Sequence, residues 1–337
     1  MKTVFKITFI TSLFTLLGLA VWIEFGVLGK NVYFGSENIS FEIPKGSGIV
    51  EITGILNDKG FRVTLNEMRL ASKILGKDSK LRYGRFIYDP VLTKDLRSLI
   101  DFLTRGGHLT VNITIPEGSR IIDIAGILMK EMQIDSVLFV ETAKDSALAA
   151  YYNIPAKTLE GYLYPETYNF NHNAGAENII DRMIKTGRHR IEDYRKMIES
   201  SGFTEHEIIT LASIIQGEVM VIDEIYHISA VYNNRLKRGM RLEADPTVQY
   251  LFDTPKRLLY KDIAIDSPYN TYLYRGLPPG PVNNPSVKAV KAALQPADVP
   301  YIFMVARGDG RHYFNIDYEG HLRDKAKFDI IRRQINR

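Results

Sequence analysis

The 337-residue sequence predicts an α+β protein in three parts. Residues 1–30 form a membrane-spanning helix, 31–145 a small α+β region carrying a duplicated strand-turn-helix unit, and 146–337 a mixed α+β domain that holds the candidate chemistry. Three observations carry this reading: an apolar run at the start, a sixteen-residue segment that recurs at a fixed offset, and a later shift toward helices separated by Tyr-, Asn-, Pro- and Gly-rich loops. An apolar fraction of 45% supplies a substantial core. The length fits two or three folded units, at roughly 100 to 200 residues each.

The chain begins Met1-Lys-Thr-Val-Phe-Lys6 and then runs almost uninterrupted through apolar residues from Ile7 to Ile23, ending before Glu24. A bilayer span needs about 20 helical residues, which the run reaches if its flanks contribute. Lys2 and Lys6 then face the cytoplasm. A cleaved signal peptide is the competing reading, although no clear small-x-small cleavage site follows the run, and a buried helix is the third. Under either export reading the body of the chain lies outside the cytoplasm.

The repeat pairs Phe41-Glu-Ile-Pro-Lys-Gly-Ser-Gly-Ile-Val-Glu-Ile-Thr-Gly-Ile-Leu56 with Ile113-Thr-Ile-Pro-Glu-Gly-Ser-Arg-Ile-Ile-Asp-Ile-Ala-Gly-Ile-Leu128. In each copy an alternating strand meets a Pro-x-Gly-Ser turn, whose Ser is placed to cap the helix that follows. Between the copies the pattern predicts a helix over 66–74, a strand over 84–88, a helix over 93–104 stopped by Gly106-Gly107, and a strand over 108–115. Such a region serves either as a scaffold or spacer, or as a binder of an extended polymer.

A loop around Pro155 opens the third part, and Glu160 to Phe170 mixes turn residues with aromatics. Helical patterns follow over 176–188, 189–200, 205–219 and 222–236, the last ending at Gly239.

Composition excludes several classes of function. The formal charge of +4 is modest and its charges are interleaved, which argues against nucleic-acid binding. There is no cysteine, hence no disulfide and no thiolate nucleophile, and the seven His have no metal-ligand spacing. No cofactor or metal is expected. Gly106-Gly107 and Gly308-Asp-Gly310 lack the spacing and Lys of a phosphate loop, and no Gly-x-Ser-x-Gly elbow is present.

Glu218 is the first candidate for chemistry. On a helix it shares part of an apolar face with Ile214 and Ile215, and desolvation there raises a carboxyl pKa toward that of a general acid. Gly217 leaves room for a bulky ligand. A capping or solvent-facing Glu is the competing reading. Asp223 and Glu224 either supply a second carboxylate for a glycosidase pair or open the next helix, whose dipole favours acids. Downstream, the Asn, Thr and Tyr of 231–285 combine directional hydrogen bonds with ring faces, a combination suited to sugars.

At these residues the sequence resembles the membrane-anchored endolytic murein transglycosylase family. The matching strings are Leu159-Glu-Gly-Tyr-Leu-Tyr-Pro-Glu-Thr-Tyr168, Ala212-Ser-Ile-Ile-Gln-Gly-Glu218 and Val231-Tyr-Asn-Asn-Arg-Leu236. They continue through Gly239 to Tyr250, Asp266-Ser-Pro-Tyr-Asn-Thr-Tyr272 and Gly276-Leu-Pro-Pro-Gly-Pro281, with Tyr301 to Ala306 and Gly310-Arg-His-Tyr-Phe314 similar to the family's terminal strands. The resemblance implies a LysM-like region before the catalytic domain. It also implies Glu218 as catalytic acid/base, with Asn234, Asp245, Tyr250, Ser267, Tyr269, Asn270 and Tyr272 as candidates to line a glycan cleft.

The reaction it implies cleaves the β-1,4 bond between N-acetylmuramic acid and N-acetylglucosamine with 1,6-anhydro ring formation, trimming or ending nascent strands. Its implied partners are peptidoglycan glycan strands, the bacterial inner membrane in single-pass topology, and peptidoglycan synthases as candidates. One departure stands out: Gln216 occupies a place where the family commonly has a second acid, which removes one charge near Glu218, so a different pH optimum is expected. A non-catalytic peptidoglycan-binding scaffold and a true hydrolase are the rival readings.

Overall fold

The computed structural model describes residues 2–35, 39–90, 93–105, 110–171 and 174–335, side chains at 2–10, 12, 105, 334 and 335 excepted. The Gly106-Gly107 stop and the first residues of the strand expected from 108 lie outside the described residues. The chain divides into two compact units, 1–111 with 170–173, and 112–169 with 174–337.

The first unit opens with α1 (Lys2–Val21), which continues into a π-helical segment, Trp22–Leu28. From Leu13 to Trp22 most of the large apolar side chains stand more than half exposed. Among the described residues no helix is long and apolar enough to cross a membrane. Next come β1 (Ile39–Ile43), α2 (Ile49–Asp58), α3 (Leu65–Ile74), β2 (Gly84–Tyr88) and α4 (Leu96–Arg105). β1 and β2 pair antiparallel with Phe41 opposite Phe86, whose rings stack 5.4 Å apart. Their inward residues, with Leu56, Phe61, Met68, Leu99 and Leu103, form this unit's core. A reciprocal box starts α3: Thr64 Oγ1 accepts from Glu67 N, and the Glu67 carboxylate accepts from Thr64 N.

The second unit takes in the second repeat copy. β3 (Thr110–Thr114) enters it, followed by α5 (Ile121–Met132), α6 (Ser136–Ala143) and α7 (Ser146–Tyr151), and β3 pairs with β4 (Thr167–Asn171). Then come α8 (Ala176–Ile191), α9 (Arg195–Ser200), α10 (Glu205–Glu218), α11 (Ile225–Lys237), α12 (Asp245–Gln249) and α13 (Val287–Leu294). The break after α8 falls at a 3-10 turn over Glu192–Tyr194, three residues beyond the expected one, because no Gly or Pro interrupts the helix at 189. β5 (Phe303–Ala306) and β6 (His312–Asn315) form an antiparallel ribbon, and α14 (Tyr318–Ile335) follows. The core gathers Ile208, Leu211, Ile215, Ile228, Tyr232 and Val290 where α10 packs on α11 and α13.

Both copies of the repeat fold as strand, turn and helix, with one correction. The Ser residues do not cap. The N-caps are Gly48 and Arg120, one residue later, and neither makes a side-chain cap bond. Ser119 Oγ instead turns back to the Pro116 carbonyl at 2.7 Å. The start of α5 is satisfied from elsewhere, by Asp123 on Arg120 N and by Glu160 on Ile121 N.

Candidate active site

Helix α10 presents the candidate acid. Thr204 and Glu207 form the same reciprocal box at its start, fixing where the helix begins. Eight consecutive residues, Ile208 to Ile215, are buried, so α10 runs through the core and brings Glu218 out as its last residue. Gly217 serves this placement differently from the expectation: a Cβ there would lie 2.7 Å from Pro246 Cβ, so the space admits α12 and not a ligand. The loop before α13 is bonded to the same helix, with Val282 N donating to Ser213 Oγ and Asn283 Nδ2 to Ser213 O.

The Glu218 side chain is 21% exposed. Tyr232 OH donates to its Oε2 at 3.4 Å, and His312 Nε2 lies 3.9 Å from its Oε1. Burial pushes its pKa up to about 7; the charge of Asp245 adds to the rise, and His312, the Tyr232 hydrogen bond and Arg235 oppose it. The negative end of the α10 dipole acts in the raising direction too, since a carboxylate there is disfavoured by about 0.3 to 1 kcal/mol. Near neutral pH the group therefore holds its proton in about half of the molecules, the condition that suits a general acid that later acts as a base.

The neighbouring carboxylates are each engaged. Asp245 Oδ1 accepts from Tyr272 OH at 2.6 Å. Glu243 Oε2 is 3.1 Å from Arg235 Nη1, whose Nε is bonded to Ile302 O. Glu224, on the turn between α10 and α11, accepts from the backbone N of His312 and faces its Nδ1 at 3.0 Å. This resolves the Asp223/Glu224 alternative: Glu224 is buried against β6, and Asp223 is exposed near Arg311. Around Glu218 opens a cleft of about 410 Å³ that includes Asp245, Tyr272 and His312, with Lys325 and Arg332 of α14 along it. That volume lies in the range of ~300 to 1,000 Å³ usual for ligand sites. Among the described residues no three His, Asp or Glu side chains converge as a metal site.

Of the other residues expected at a glycan cleft, Asp245 and Tyr272 share the cleft of Glu218, and five sit elsewhere. Asn234 Nδ2 is spent on the carbonyls of Val299 and Tyr301. Asn270, fully buried, donates to Ile263 O and Ile265 O and accepts from Tyr272 N, so it shapes the loop that carries Tyr272. Ser267 Oγ accepts from Tyr269 N within a turn. The rings of Tyr250 and Tyr269 lie 4.9 Å apart, with the Arg120 guanidinium 5.0 Å from Tyr250. Tyr269 borders a second cavity, of about 510 Å³, beside Pro155 and Pro279.

Gln216 has a structural role. Its Oε1 accepts from both N and Oγ of Ser286, the N-cap of α13. Sequence reasoning did not single out Tyr232, Arg235 or His312. Tyr232 and Arg235 were within reach, three apart on one face of α11 in a string already noted.

Fold and site together define the class: an α+β enzyme built around one proton-holding carboxyl at a helix end, its acidic neighbours bonded away. The comparisons with known proteins sharpen this. Residues 41–327 match the YceG-like family, and the chain belongs to it. It is 32% identical over 307 residues to the endolytic murein transglycosylase of Bacillus subtilis, spanning 86% of this chain and 84% of that protein. It is 28% identical over 327 residues to the endolytic murein transglycosylase of Streptococcus pneumoniae strain D39, covering 86% of this chain and 58% of that longer protein. The crystal structure of a YceG-like protein from Listeria monocytogenes matches with a TM-score of 0.60 at 31% identity, over 86% of this chain and 99% of that one.

Proposed function

We propose that this protein is an endolytic peptidoglycan lytic transglycosylase, cleaving the β-1,4 bond between N-acetylmuramic acid and N-acetylglucosamine and leaving a 1,6-anhydro end. The observation that carries the reading is Glu218, a carboxyl whose pKa is raised to about 7 in an open cleft while Asp245, Glu243 and Glu224 are each held by a donor. Protonated Glu218 donates to the glycosidic oxygen as the sugar gains oxocarbenium character. The resulting carboxylate takes the proton of the muramic acid C6 hydroxyl, whose oxygen closes the anhydro ring. Water is not the nucleophile, so no second free carboxylate is needed, in contrast to a hydrolase pair.

The test is mass spectrometry of purified sacculi after incubation with the protein. Anhydro ends are expected from the wild type and a loss of about a hundredfold or more from Glu218→Gln, the usual scale of acid/base catalysis. Reducing ends would make the protein a hydrolase, and retention on murein with no cleavage would make it a binding scaffold.

The same reading makes residues 1–30 a single-pass inner-membrane anchor, supported by the exposed apolar side chains of Leu13 to Trp22, which water solvates poorly. Residues 31–145 are then a LysM-like region and 146–337 the catalytic domain, with cleavage confined to glycan near the membrane, where synthases supply nascent strands. Moving the body onto a long flexible linker is expected to change the glycan length distribution. An unchanged distribution would overturn that placement.

A further inference from the structure

One pair beside the acid is bonded more thoroughly than a structural contact requires. Glu224 is 8% exposed, and its carboxylate receives the backbone N–H of His312 at 3.0 and 3.2 Å as well as the ring Nδ1 at 3.0 Å. The backbone bonds alone would tie β6 to the turn between α10 and α11. The additional ring bond fixes which way the imidazole faces. Resting on the transglycosylase reading above, we propose that Glu224 and His312 are a positioning pair for the acid, Glu224 holding the His312 ring so that Nε2 faces Glu218 Oε1 and controls its orientation and charge.

The chemistry follows from the donor inventory. A carboxylate only accepts, so the ring nitrogen against Glu224 carries the hydrogen and the neutral ring leaves Nε2 bare toward Glu218. The His312 side chain is 8% exposed and packs 6.0 Å from the Phe314 ring, so it does not swing away. Nε2 and Oε1 are 3.9 Å apart, and closure by about 1 Å gives a direct hydrogen bond of ordinary length. Catalytic contacts are commonly this loose before substrate arrives.

Two states then share one proton. Neutral His312 accepts from the Glu218 carboxyl group, and the imidazolium donates to the Glu218 carboxylate. When Glu218 gives its proton to the leaving oxygen, Nε2 and the carboxylate are left as two acceptors facing each other, which favours recovery of a proton from the C6 hydroxyl. No further reactant enters, and the proton count is unchanged across the cycle.

Other groups facing the pair set the background. Tyr232 and Arg235 approach from α11, and Asp245 from α12, with Glu243 and Tyr272 beside them. His321, Lys325, Asp329 and Arg332 of α14 line the same cleft, and Arg311 lies 3.9 Å from Glu224 Oε1, near Asp223. None of these is bonded to the His312 ring as Glu224 is.

The experiment is the pH dependence of kcat/KM for anhydro-end release by the full chain, comparing wild type with Glu224→Gln and His312→Gln. In the wild type the rate falls as Glu218 loses its proton near pH 7. Removing His312 removes the partner that faces Glu218 Oε1, so this falling limb is expected to move by about half a pH unit or more, with kcat reduced about tenfold and KM within about twofold. Glu224→Gln is expected to move the limb the same way by less. An unmoved limb in both variants, with losses matching only the unfolded fraction in a thermal melt, would overturn the proposal.

Should either variant fail to fold, the ring 15N shifts of His312 in the wild type decide. A neutral ring protonated at Nδ1 is expected, and one protonated at Nε2 would refute the pair. A wild type that releases no anhydro ends, or a Glu218→Gln variant that still does, refutes the transglycosylase reading instead.

Discussion

The two copies of the repeat share a turn and differ in what that turn is bonded to. In the first, Ser47 N donates to Pro44 O and Gly46 takes φ +91°; in the second, Ser119 N donates to Pro116 O and Gly118 takes φ +77°. From there they part. The first turn is largely exposed at Pro44, Lys45 and Gly46, and its Ser47 Oγ is buried without a hydrogen-bond partner. The second is bonded to the loop before α13, with Gly118 N donating to Asn284 O and Asn284 N to Ser119 O. Asn284 Nδ2 then reaches both Ser119 O and Glu160, and its Oδ1 accepts from Leu163 N. One local sequence thus serves as a hairpin-and-helix module in the first unit and as a wall against the loop before α13 in the second. What a duplicated segment does is decided by the partners its turn meets.

Breaking the second turn's partner should have the largest effect. Asn284→Ala removes an amide, fully buried, that satisfies three groups on two segments, and it is expected to cost about 3 kcal/mol or more, since each buried polar group left unpaired costs about 1 to 3. Denaturant unfolding measures it, and a cost under about 1 kcal/mol would mean the wall stands without the clasp.

Glu160 gives the next effect. It is 4% exposed, and burial pushes its pKa up to about 8, against the hydrogen bond from Ile121 N. The folded chain therefore binds a proton that the unfolded chain releases near pH 4.5, and the stability it contributes is full below that pH and declines as pH rises toward 8. Glu160→Gln keeps the acceptor without the charge. It is expected to flatten this decline, by about 3 kcal/mol between pH 5 and pH 8, the fall being measured in denaturant titrations at both values. An unchanged slope would place the proton elsewhere.

The smallest effect sharpens the comparison most. Ser119→Ala loses the bond to Pro116 O and is expected to cost about 1 kcal/mol, whereas Ser47→Ala loses no bond and should stay within about 0.5 kcal/mol. Equal costs in paired thermal melts would erase the distinction between the turns.

How much of this was legible depended on the range of the forces involved. The Pro-x-Gly-Ser turns and α10 could be read directly because a proline, a glycine and an apolar helix face act on their own neighbours. Glu218 was readable for the same reason, from Ile214 and Ile215 on its face. Asn234 and Asn270 were placed in the cleft because an amide that binds a sugar and one that binds a backbone carbonyl have the same sequence. Only the fold reveals that Val299, Tyr301, Ile263 and Ile265 already occupy them. His312 was beyond reach, since its partner Glu224 lies 88 residues away. The start and end of α14 carried no expectation either, because Lys, Arg and Asp fall on most of its faces and leave no clean apolar stripe.

The central claim is that the side chain at position 218 keeps a proton at neutral pH, and carboxyl titration by difference infrared or 13C NMR, with Glu218→Gln as the blank, tests it without reference to turnover. A midpoint at about 7 is expected. A midpoint near the ordinary 4.5 of a solvated glutamate would leave the cleft without its acid and contradict the account.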